Sequence, residues 1–493
     1  VELAFHDTPG SLDHTSLHDP DFRYLAARAY ARGVLRYFQP LAPFPPEPPT
    51  ALRVTQDGAR GLRVAWDPAA GATSYTVEWS DDGKGFQQVA SVATTNWSTG
   101  PLPHHTLKSF RVRAWNATGR SFPTEVLTAG TDHLGAAQVL LVQGFDRLDR
   151  NVKGPENTKD YLRLLGDACR RDANGSLGFD AASNEAVALV RVALPNYQAV
   201  VWCSGEESTA DESFSTLEQF LVGGYLDGGG SLLVSGAEIG WDLDAQGTAG
   251  DETFYRQKLG ATYVADDAGV YTLQAGLAGT VSAGLAASSF DNGTFGTYDV
   301  NYADVLAPTD ANSTVCLRYG NGMVAGIQRF VPATGARVVN FGLPLETITD
   351  ATARARLVQQ SLAFLLDAQP LQAPATATLG TPTPMALSLP TEGGRPYLLC
   401  MSDGILPGTL LPGGATLPLN NGFLLSLSID PASPFFPGFV GVLSPTGTAT
   451  PTFFPPYLPF LAGWPLYFAG FTLDASGTQE HVLTNWVRCT LAL

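Results

Sequence analysis

The sequence is poor in charged residues and has no long apolar run. Asp, Glu, Lys and Arg make up 15% of the 493 residues, and the formal net charge is −17. Nucleic acid and anionic membranes repel such an acidic chain, so neither is expected as a partner. No apolar run reaches the roughly 18 residues of a transmembrane helix. The abundance of Gly (52) and Pro (35) favours loop-rich β-domains of a secreted, extracellular protein.

Cysteine is scarce and never occurs as a C-x-x-C pair. The absence of that pair argues against structural zinc and thioredoxin-type redox chemistry. Two of the five cysteines, Cys400 and Cys489, fall in the last segment, which leaves open either a disulfide or two buried free thiols. The other three are Cys169, Cys203 and Cys316.

Histidine is missing from a long internal segment. The seven histidines are at positions 6, 14, 18, 104, 105, 133 and 481, so residues 135–369 contain none. Ser–His–Asp and Cys–His mechanisms need an imidazole to move the proton. Nucleophilic catalysis of these kinds is therefore excluded from this segment unless another chain lends the histidine.

The first 40 residues combine a short apolar strand with an amphipathic helix. Residues 1–5 (VELAF) have the pattern of a buried strand, and Asp19-Pro20 opens a helix with apolar positions at a period of about 3.6 residues. One strand and one helix bury too little surface to offset an ordering entropy of about 1–2 kcal/mol per backbone residue. We therefore expect residues 1–39 to be the end of a larger domain.

The strand is followed by a loop and by the helix, which ends in 31–38 (ARGVLRYF). This arrangement resembles the C-terminal end of zinc-dependent N-acetylmuramoyl-L-alanine amidases, which cut peptidoglycan. The resemblance implies that Glu2 matches the general base beside the zinc. It also implies zinc ligands upstream of the strand, which have no counterpart in this sequence. His6, His14 and His18 lie in an irregular loop, which favours solvated side chains over a metal site. We expect no cofactor in this chain, and zinc only with an upstream amidase domain.

A proline-rich stretch precedes an all-β module. Residues 40–47 (PLAPFPPE) predict a stiff linker, and the following segments alternate apolar and polar residues over 48–131. The segments 62–66 (LRVAW), 75–79 (YTVEW) and 110–115 (FRVRAW) resemble fibronectin type III domains. The resemblance implies a β-sandwich that acts as a spacer or lies near carbohydrate, without catalysis of its own. No Arg-Gly-Asp triplet occurs, so integrin-style adhesion is not implied.

Residues 135–369 alternate apolar strands with helical patterns. The strands at 139–142, 199–202, 231–234 and 338–341 are continuous apolar runs of the buried parallel type. Helical patterns follow at about 157–171, 213–226 and 353–366. This order predicts a doubly wound α/β domain, whose sites lie at the carboxyl ends of the strands.

Two segments of this domain resemble class I glutamine-amidotransferase-like folds. Residues 234–240 (VSGAEIG) match the nucleophile elbow, and 340–346 (NFGLPLE) match the later His-Pro-Glu segment. The resemblance implies that Glu238 stands at the position of the nucleophilic cysteine, and that Gly342-Leu343 stands where a histidine should precede Pro344. The domain is therefore expected to have no Cys or His nucleophile pair.

The strand ends of this domain are acidic. Asp146, Glu206, Glu238 and Asp242 are weak candidates for oxygen ligands of Ca²⁺. Their spacing matches no calcium loop, and carboxylates at strand ends are often solvated or cap helices. Both interpretations stay open at this point.

The last segment, 372–493, is rich in Pro, Leu, Thr and Gly. Its apolar segments, one of them at 424–429, are predicted to be strands and together predict a C-terminal β-sandwich. It resembles, in general style, the terminal modules of large secreted bacterial proteins. Aromatic residues crowd a proline-rich stretch there; if exposed they form an assembly surface, and otherwise they pack on their own sandwich. They are Phe435, Phe436, Phe453, Phe454, Tyr457 and Trp464.

Taken together, the expected molecule is a multidomain α/β plus β protein. We expect a secreted bacterial cell-envelope or extracellular structural protein, non-catalytic and derived from an amidase-like precursor. Its partners would be copies of itself or other envelope proteins. The alternative is a zinc-dependent N-acetylmuramoyl-L-alanine amidase whose catalytic domain lies mostly upstream of Val1. Binding of peptidoglycan or polysaccharide rests on fold analogy alone.

Overall fold

The computed structural model describes most of the chain and omits its first residues. The described residues are 11, 17, 20–58, 61–103, 106–131, 137–145, 161–169, 178–209, 212–367, 370–389, 392–405, 408–412, 416–445, 447–474, 477–484 and 486–493. The predictions for strand 1–5, Glu2, His6, His14, His18 and Asp146 lie outside these residues. Within them, no helix is both long and apolar enough to cross a membrane.

The predicted N-terminal helix is present as α1 (Pro20–Phe38). Its last turns are open to solvent, because Tyr37 is 82% and Phe38 76% exposed. Arg28 ties the helix to the following linker: it lies 2.5 Å from the Glu47 carboxylate and donates to the carbonyl of Pro45 at 3.1 Å. Val34 is also 43% exposed, so these three apolar side chains near the end of the helix have little cover.

Residues 50–130 fold into two facing antiparallel sheets. One sheet joins β1, β2 and β5, and the other joins β4, β3, β6 and β8. Trp66 is 1% exposed between them, with its ring 5.4 Å from that of Tyr75. The period-two alternation of these strands places one apolar row of each in this core. The strands are β1 (Thr50–Asp57), β2 (Gly61–Asp67), β3 (Ser74–Ser80), β4 (Gln87–Val92), β5 (Asn96–Ser98), β6 (Leu107–Asn116), β7 (Gly119–Arg120) and β8 (Leu127–Gly130).

The next region is built on parallel strands. The strands are β9 (Val139–Gln143), β10 (Phe179–Ser183), β11 (Ala199–Gly205), β12 (Ser231–Gly236), β13 (Ala261–Ala265), β14 (Thr272–Leu273), β15 (Ser288–Ser289), β16 (Val305–Pro308), β17 (Ser313–Arg318), β18 (Val324–Phe330) and β19 (Arg337–Phe341). The sheet order is β10-β9-β11-β12-β19, all parallel, followed by antiparallel β18 and β17. Every residue of β9, β11, β12 and β19 is buried, which explains their continuous apolar sequences.

Helices cover both faces of these parallel strands. The helices are α2 (Leu162–Cys169), α3 (Asn184–Ala188), α4 (Thr216–Asp227), α5 (Ala249–Thr253) and α6 (Ala351–Asp367). Leu165 of α2 and Leu357 of α6 belong to one apolar core, whereas Val187 of α3 and Val222 of α4 belong to another. The helical patterns expected near 213–226 and 353–366 correspond to α4 and α6.

The first β-domain is joined to the parallel sheet edge to edge. Strand β1 pairs antiparallel with β10, with Val54 opposite Ala181. The backbone N–H of Gln56 donates to the Asp180 carboxylate at 2.7 Å, and the Gln56 side chain donates to the carbonyl of Gly130 at 2.7 Å. An unpaired sheet edge is a template for unwanted association, and β1 covers this one.

The C-terminal region contains a six-stranded sheet, in which β21, β32, β30, β24 and β27 follow one another and β31 pairs with β30. A three-stranded sheet, β20-β23-β28, contributes to the same core. The strands are β20 (Leu371–Gln372), β21 (Thr376–Thr378), β22 (Thr383–Pro384), β23 (Ala386–Ser388), β24 (Pro396–Ser402), β25 (Thr409–Leu410), β26 (Thr416–Leu417), β27 (Val440–Val442), β28 (Thr448–Ala449), β29 (Thr452–Phe453), β30 (Pro465–Leu473), β31 (Glu480–Leu483) and β32 (Val487–Ala492).

One prediction for this region is wrong, and one alternative that the sequence left open is decided. The strand expected at 424–429 is instead the helix α7 (Phe423–Ser428), because Leu424 and Leu427, three residues apart, pack on the core together. Cys400 and Cys489 are both free, so there is no disulfide between them. Cys400 is on β24 and Cys489 on β32, with β30 between them. Two strand spacings are about 9.6 Å, beyond the roughly 7 Å that a disulfide bridges between Cα atoms.

Candidate functional site

Glu238 stands on a sharp turn at the carboxyl end of β12. Its φ is +57°, a left-handed conformation that costs a non-glycine residue about 1–2 kcal/mol. The preceding turn is tight: the N–H of Ala237 donates to the carbonyl of Gly205 at 2.8 Å, and a Cβ on Gly236 would lie 2.9 Å from that of Ser204. The turn leaves Glu238 half-exposed at the edge of the sheet where sites of parallel α/β folds lie.

A buried carboxyl lies directly beneath this turn. Asp304 is completely buried and accepts a hydrogen bond from the N–H of Gly240 at 2.5 Å. Burial raises the pKa of Asp304 well above its usual value, and the nearby carboxyls of Glu238 and Asp266 raise it further. Burial therefore favours the protonated form of Asp304. Sequence analysis missed it, because its partner is 64 residues away and no local pattern marks it.

A second buried carboxyl lies in the short helical turn Leu345–Thr347 that follows β19. Glu346 is completely buried and accepts hydrogen bonds from the Tyr298 hydroxyl at 2.6 Å and from the Cys203 thiol at 3.4 Å. Burial raises the pKa of Glu346. Burial, and then the adjacent Glu346, raise the pKa of Cys203 well above its usual value, so the thiol stays protonated. Cys203 is a core residue, and a thiol held in the protonated form is a poor nucleophile.

The structure does not assemble the three described cation candidates into a metal site. Asp242 accepts a hydrogen bond from the backbone N–H of Ser213 at 2.7 Å, so this carboxylate satisfies a buried backbone donor of the loop. Glu206 is 7% exposed after β11, and Glu238 stands on the turn after β12. Across the described ranges no group of three or more His, Cys, Asp or Glu side chains is arranged to hold a metal ion. The fourth residue, Asp146, is outside those ranges.

The aromatic residues of the C-terminal region divide into a buried and an exposed set. Phe436 and Phe453 are 5% and 2% exposed and stack in the core with ring centroids 5.7 Å apart, so of the two alternatives these residues follow the second and pack on their own domain. Phe435 packs partly against the same core. We call the exposed set the aromatic face: Phe454, Tyr457, Leu458, Phe460 and Trp464, which are 36% to 80% exposed.

Comparison with known proteins identifies the first β-domain. The family model of the fibronectin type III domain matches residues 47–130, which agrees with the two-sheet sandwich described above. Residues 47–130 are a fibronectin type III domain. Receptor-type tyrosine-protein phosphatase F of Homo sapiens is 37% identical over 90 residues, which are 17% of this chain and 5% of that protein. The Danio rerio protein of the same name is 34% identical over 90 residues, with the same coverage.

Solved structures show likeness over a similar share of the chain. The fibronectin type III domain of human fibronectin type III domain containing protein 3 is 26% identical, covers 18% of this chain and 90% of its own, and gives a TM-score of 0.17. An Fn3-like protein from Clostridium thermocellum is 23% identical, covers 17% of this chain and 92% of its own, and gives a TM-score of 0.17. The chain spans about 5% of the length of the curated relatives it matches.

Proposed function

We propose that this chain is a non-catalytic structural protein of the bacterial cell envelope or extracellular space, and that it self-associates through its aromatic face. The observation that carries the proposal is the exposure of this face: Phe460 is 80%, Tyr457 68% and Trp464 56% exposed. Large exposed apolar patches on folded proteins mark interaction sites. The fibronectin type III domain serves as a spacer, and the secreted location is part of the proposal.

The charge distribution supports a second copy as the partner. Residues 431–473 contain no Asp, Glu, Lys, Arg or His, whereas the whole chain carries a net charge of −17. Two copies of such a chain repel each other over most of their surface. The aromatic face avoids this repulsion, and its prolines restrict the backbone, which lowers the entropy lost on association.

The elbow geometry supports a non-catalytic role for the central region. We propose that this region is a doubly wound α/β domain, because its five parallel strands follow the order 2-1-3-4-5 known from such folds. We further propose that it is a degenerate amidotransferase-like domain. Its elbow keeps a positive φ at residue 238 but carries a carboxylate there, and the region has no histidine to activate a nucleophile.

Sedimentation velocity over a range of protein concentrations tests self-association. We expect the wild-type chain to shift to larger species as concentration rises, and the double variant Phe460→Ser/Trp464→Ser to stay monomeric. Phe122→Ser and Phe220→Ser are matched controls, because these phenylalanines are 63% and 75% exposed on other domains. A wild-type chain that stays monomeric, or a double variant that still associates, would contradict the proposed surface.

A hydrolysis assay tests the absence of catalysis. Purified chain is incubated with peptidoglycan and with simple amide and ester substrates, and we expect no turnover above the blank. Turnover that disappears in Glu238→Gln would overturn the non-catalytic assignment and make the elbow an active site. Fractionation of the source cells with an antibody to the chain tests the envelope or extracellular location.

A further inference from the structure

An open cleft is lined by residues that belong neither to the elbow nor to the aromatic face. Its volume is 580 Å³, within the roughly 300–1,000 Å³ typical of small-ligand sites. The strand pair β14–β15 forms one wall, with Thr272 opposite Ser289. Gly320 and the residues before α6, Thr349 and Asp350, complete the lining.

The cleft is held in shape by its own hydrogen bonds. The N–H of Gly320 donates to the carbonyl of Thr272 at 2.7 Å, and the N–H of Thr349 donates to the carbonyl of Ser289 at 2.9 Å. One oxygen of Asp350 accepts from the N–H of Thr352 at 2.7 Å, which fixes this carboxylate at the start of α6. The polar groups are therefore positioned before a ligand arrives, which reduces the entropy cost of binding.

The chemistry of the lining restricts the ligand. Four hydroxyl-bearing residues, the amide of Gln274, one carboxylate and the apolar Leu273 and Ala287 line the cleft, and none of the described residues that line it is aromatic or basic. Asp350 interacts electrostatically with Arg354, which is not part of the lining. A carboxylate in the lining disfavours an anion, and a single carboxylate provides too few oxygen ligands for a divalent cation. Hydroxyls that both donate and accept match a ligand rich in hydroxyl groups.

We infer that this cleft binds a neutral saccharide. The inference goes beyond self-association and does not rest on it, because the cleft and the aromatic face belong to different regions of the chain. The Asp350 carboxylate accepts hydrogen bonds from sugar hydroxyls, and Thr272 and Gln274 bind others from the opposite wall. The acidic chain and the lining select against sugar acids.

Saturation-transfer NMR on the full chain tests this site with N-acetylglucosamine trimer and maltotriose as probes. At about 10 mM ligand a site with a Kd of ~1 mM is nearly saturated. We expect transfer from at least one neutral sugar and none from glucuronic acid. No transfer from either neutral probe would overturn the inference.

Three substitutions assign any binding to the cleft. Thr272→Val removes an exposed hydroxyl, and Gly320→Ala places a Cβ 2.0 Å from the Thr272 hydroxyl and so displaces that side chain. Asp350→Asn removes the charge but keeps a residue that caps helices equally well. We expect each to weaken binding about tenfold, the loss of one good hydrogen bond.

Matched controls separate the cleft from other surfaces. Thr314→Val changes an exposed threonine on β17, and Asp227→Asn changes an exposed aspartate at the end of α4; both should bind as the wild type does. Binding that survives all three cleft substitutions but is lost in Phe460→Ser/Trp464→Ser would place the sugar on the aromatic face and overturn the inference. Sedimentation of the same samples reports self-association separately, so failure of one proposal is distinguishable from failure of the other.

Discussion

Asp180 is a buried carboxyl whose two oxygens bind different parts of the molecule. One accepts from the backbone N–H of Gln56 at 2.7 Å, and the other accepts from the Tyr197 hydroxyl at 2.7 Å. Burial raises its pKa from 3.8 to about 6, although these hydrogen bonds and the positive charge of Arg488 oppose the rise. The folded protein therefore holds this proton more tightly than the unfolded chain does.

Stability should consequently fall as pH rises from 3.8 towards about 6, because the unfolded carboxyl ionises first. At about 1.36 kcal/mol per pKa unit, the rise corresponds to about 3 kcal/mol above that window. We expect Asp180→Asn to stabilise the protein at pH 8 by up to this amount and to have little effect near pH 4, because the amide removes the buried charge. Urea unfolding at both pH values measures this, with the exposed Asp227→Asn as control. An equal effect of Asp180→Asn at both pH values would contradict the assignment.

The number of thiols that react with a reagent tests the state of the five cysteines. All five are buried, and burial raises the pKa of Cys169, Cys400 and Cys489 to about 12 each. Thiolate is the reactive form, so we expect Ellman's reagent to modify none of them in the native protein. After unfolding without reductant all five should react. A count of three would show that two cysteines are joined by a disulfide, contrary to the structure.

At the scale of elements, sequence pattern predicted what depends on near neighbours in the chain. The fully buried strands β9, β11 and β12 were predictable from their continuous apolar runs. The strands of the fibronectin type III domain were predictable from the alternation of apolar and polar residues. The prediction of a strand at 424–429 was wrong because a short apolar run fits a strand and a helix equally well. The segment forms the helix α7 because Leu424 and Leu427, three residues apart, then pack on the same core.

The candidate site was predictable only where one segment carries it. Glu238 was visible because the elbow is a local turn, whereas Asp304 and Tyr298 reach the strand ends from irregular segments that no period describes. The prediction for the aromatic residues of the C-terminal region was limited in the same way. Its composition indicated an apolar cluster, but burial of Phe436 and exposure of Trp464 depend on strands that are distant in sequence.

The elbow provides a prediction about backbone strain. Glycine tolerates the φ of +57° at position 238, so Glu238→Gly should relieve about 1 kcal/mol. The greater freedom of glycine in the unfolded chain offsets part of this gain. We therefore expect a change between zero and about 1 kcal/mol in the stabilising direction.

The same substitution in a helix is the control. Glu252 lies in α5 and pairs with Arg256 at 2.9 Å, so Glu252→Gly should lose about 1 kcal/mol. Thermal unfolding of the two variants compares them directly. A loss at position 238 as large as the loss at 252 would show that the left-handed turn imposes no strain on Glu238.

At the scale of the whole molecule, the fibronectin type III domain is part of a larger sheet. Fifteen strands form one continuous sheet that passes from this domain into the parallel strands through β1, β8 and β10. The pair Arg191–Asp67, at 2.9 Å, adds a charged contact across the same boundary. A domain joined in this way does not pivot freely against the parallel strands.

Hydrogen exchange tests whether the two domains open as one unit. In the wild type we expect amides of β1 and β10 to exchange at similar, slow rates, because each strand protects the other. At pH 4, where Asp180 is protonated and its charge plays little part, Asp180→Ala leaves the Gln56 N–H without its acceptor, a loss of about 1–3 kcal/mol. Exchange in both strands should therefore accelerate together, by roughly tenfold or more. Glu78→Gln is the control, because Glu78 pairs with Arg111 at 2.6 Å on the far sheet and should leave β10 unchanged. Fast exchange of β1 beside a protected β10 in the wild type would mean that the domains move independently.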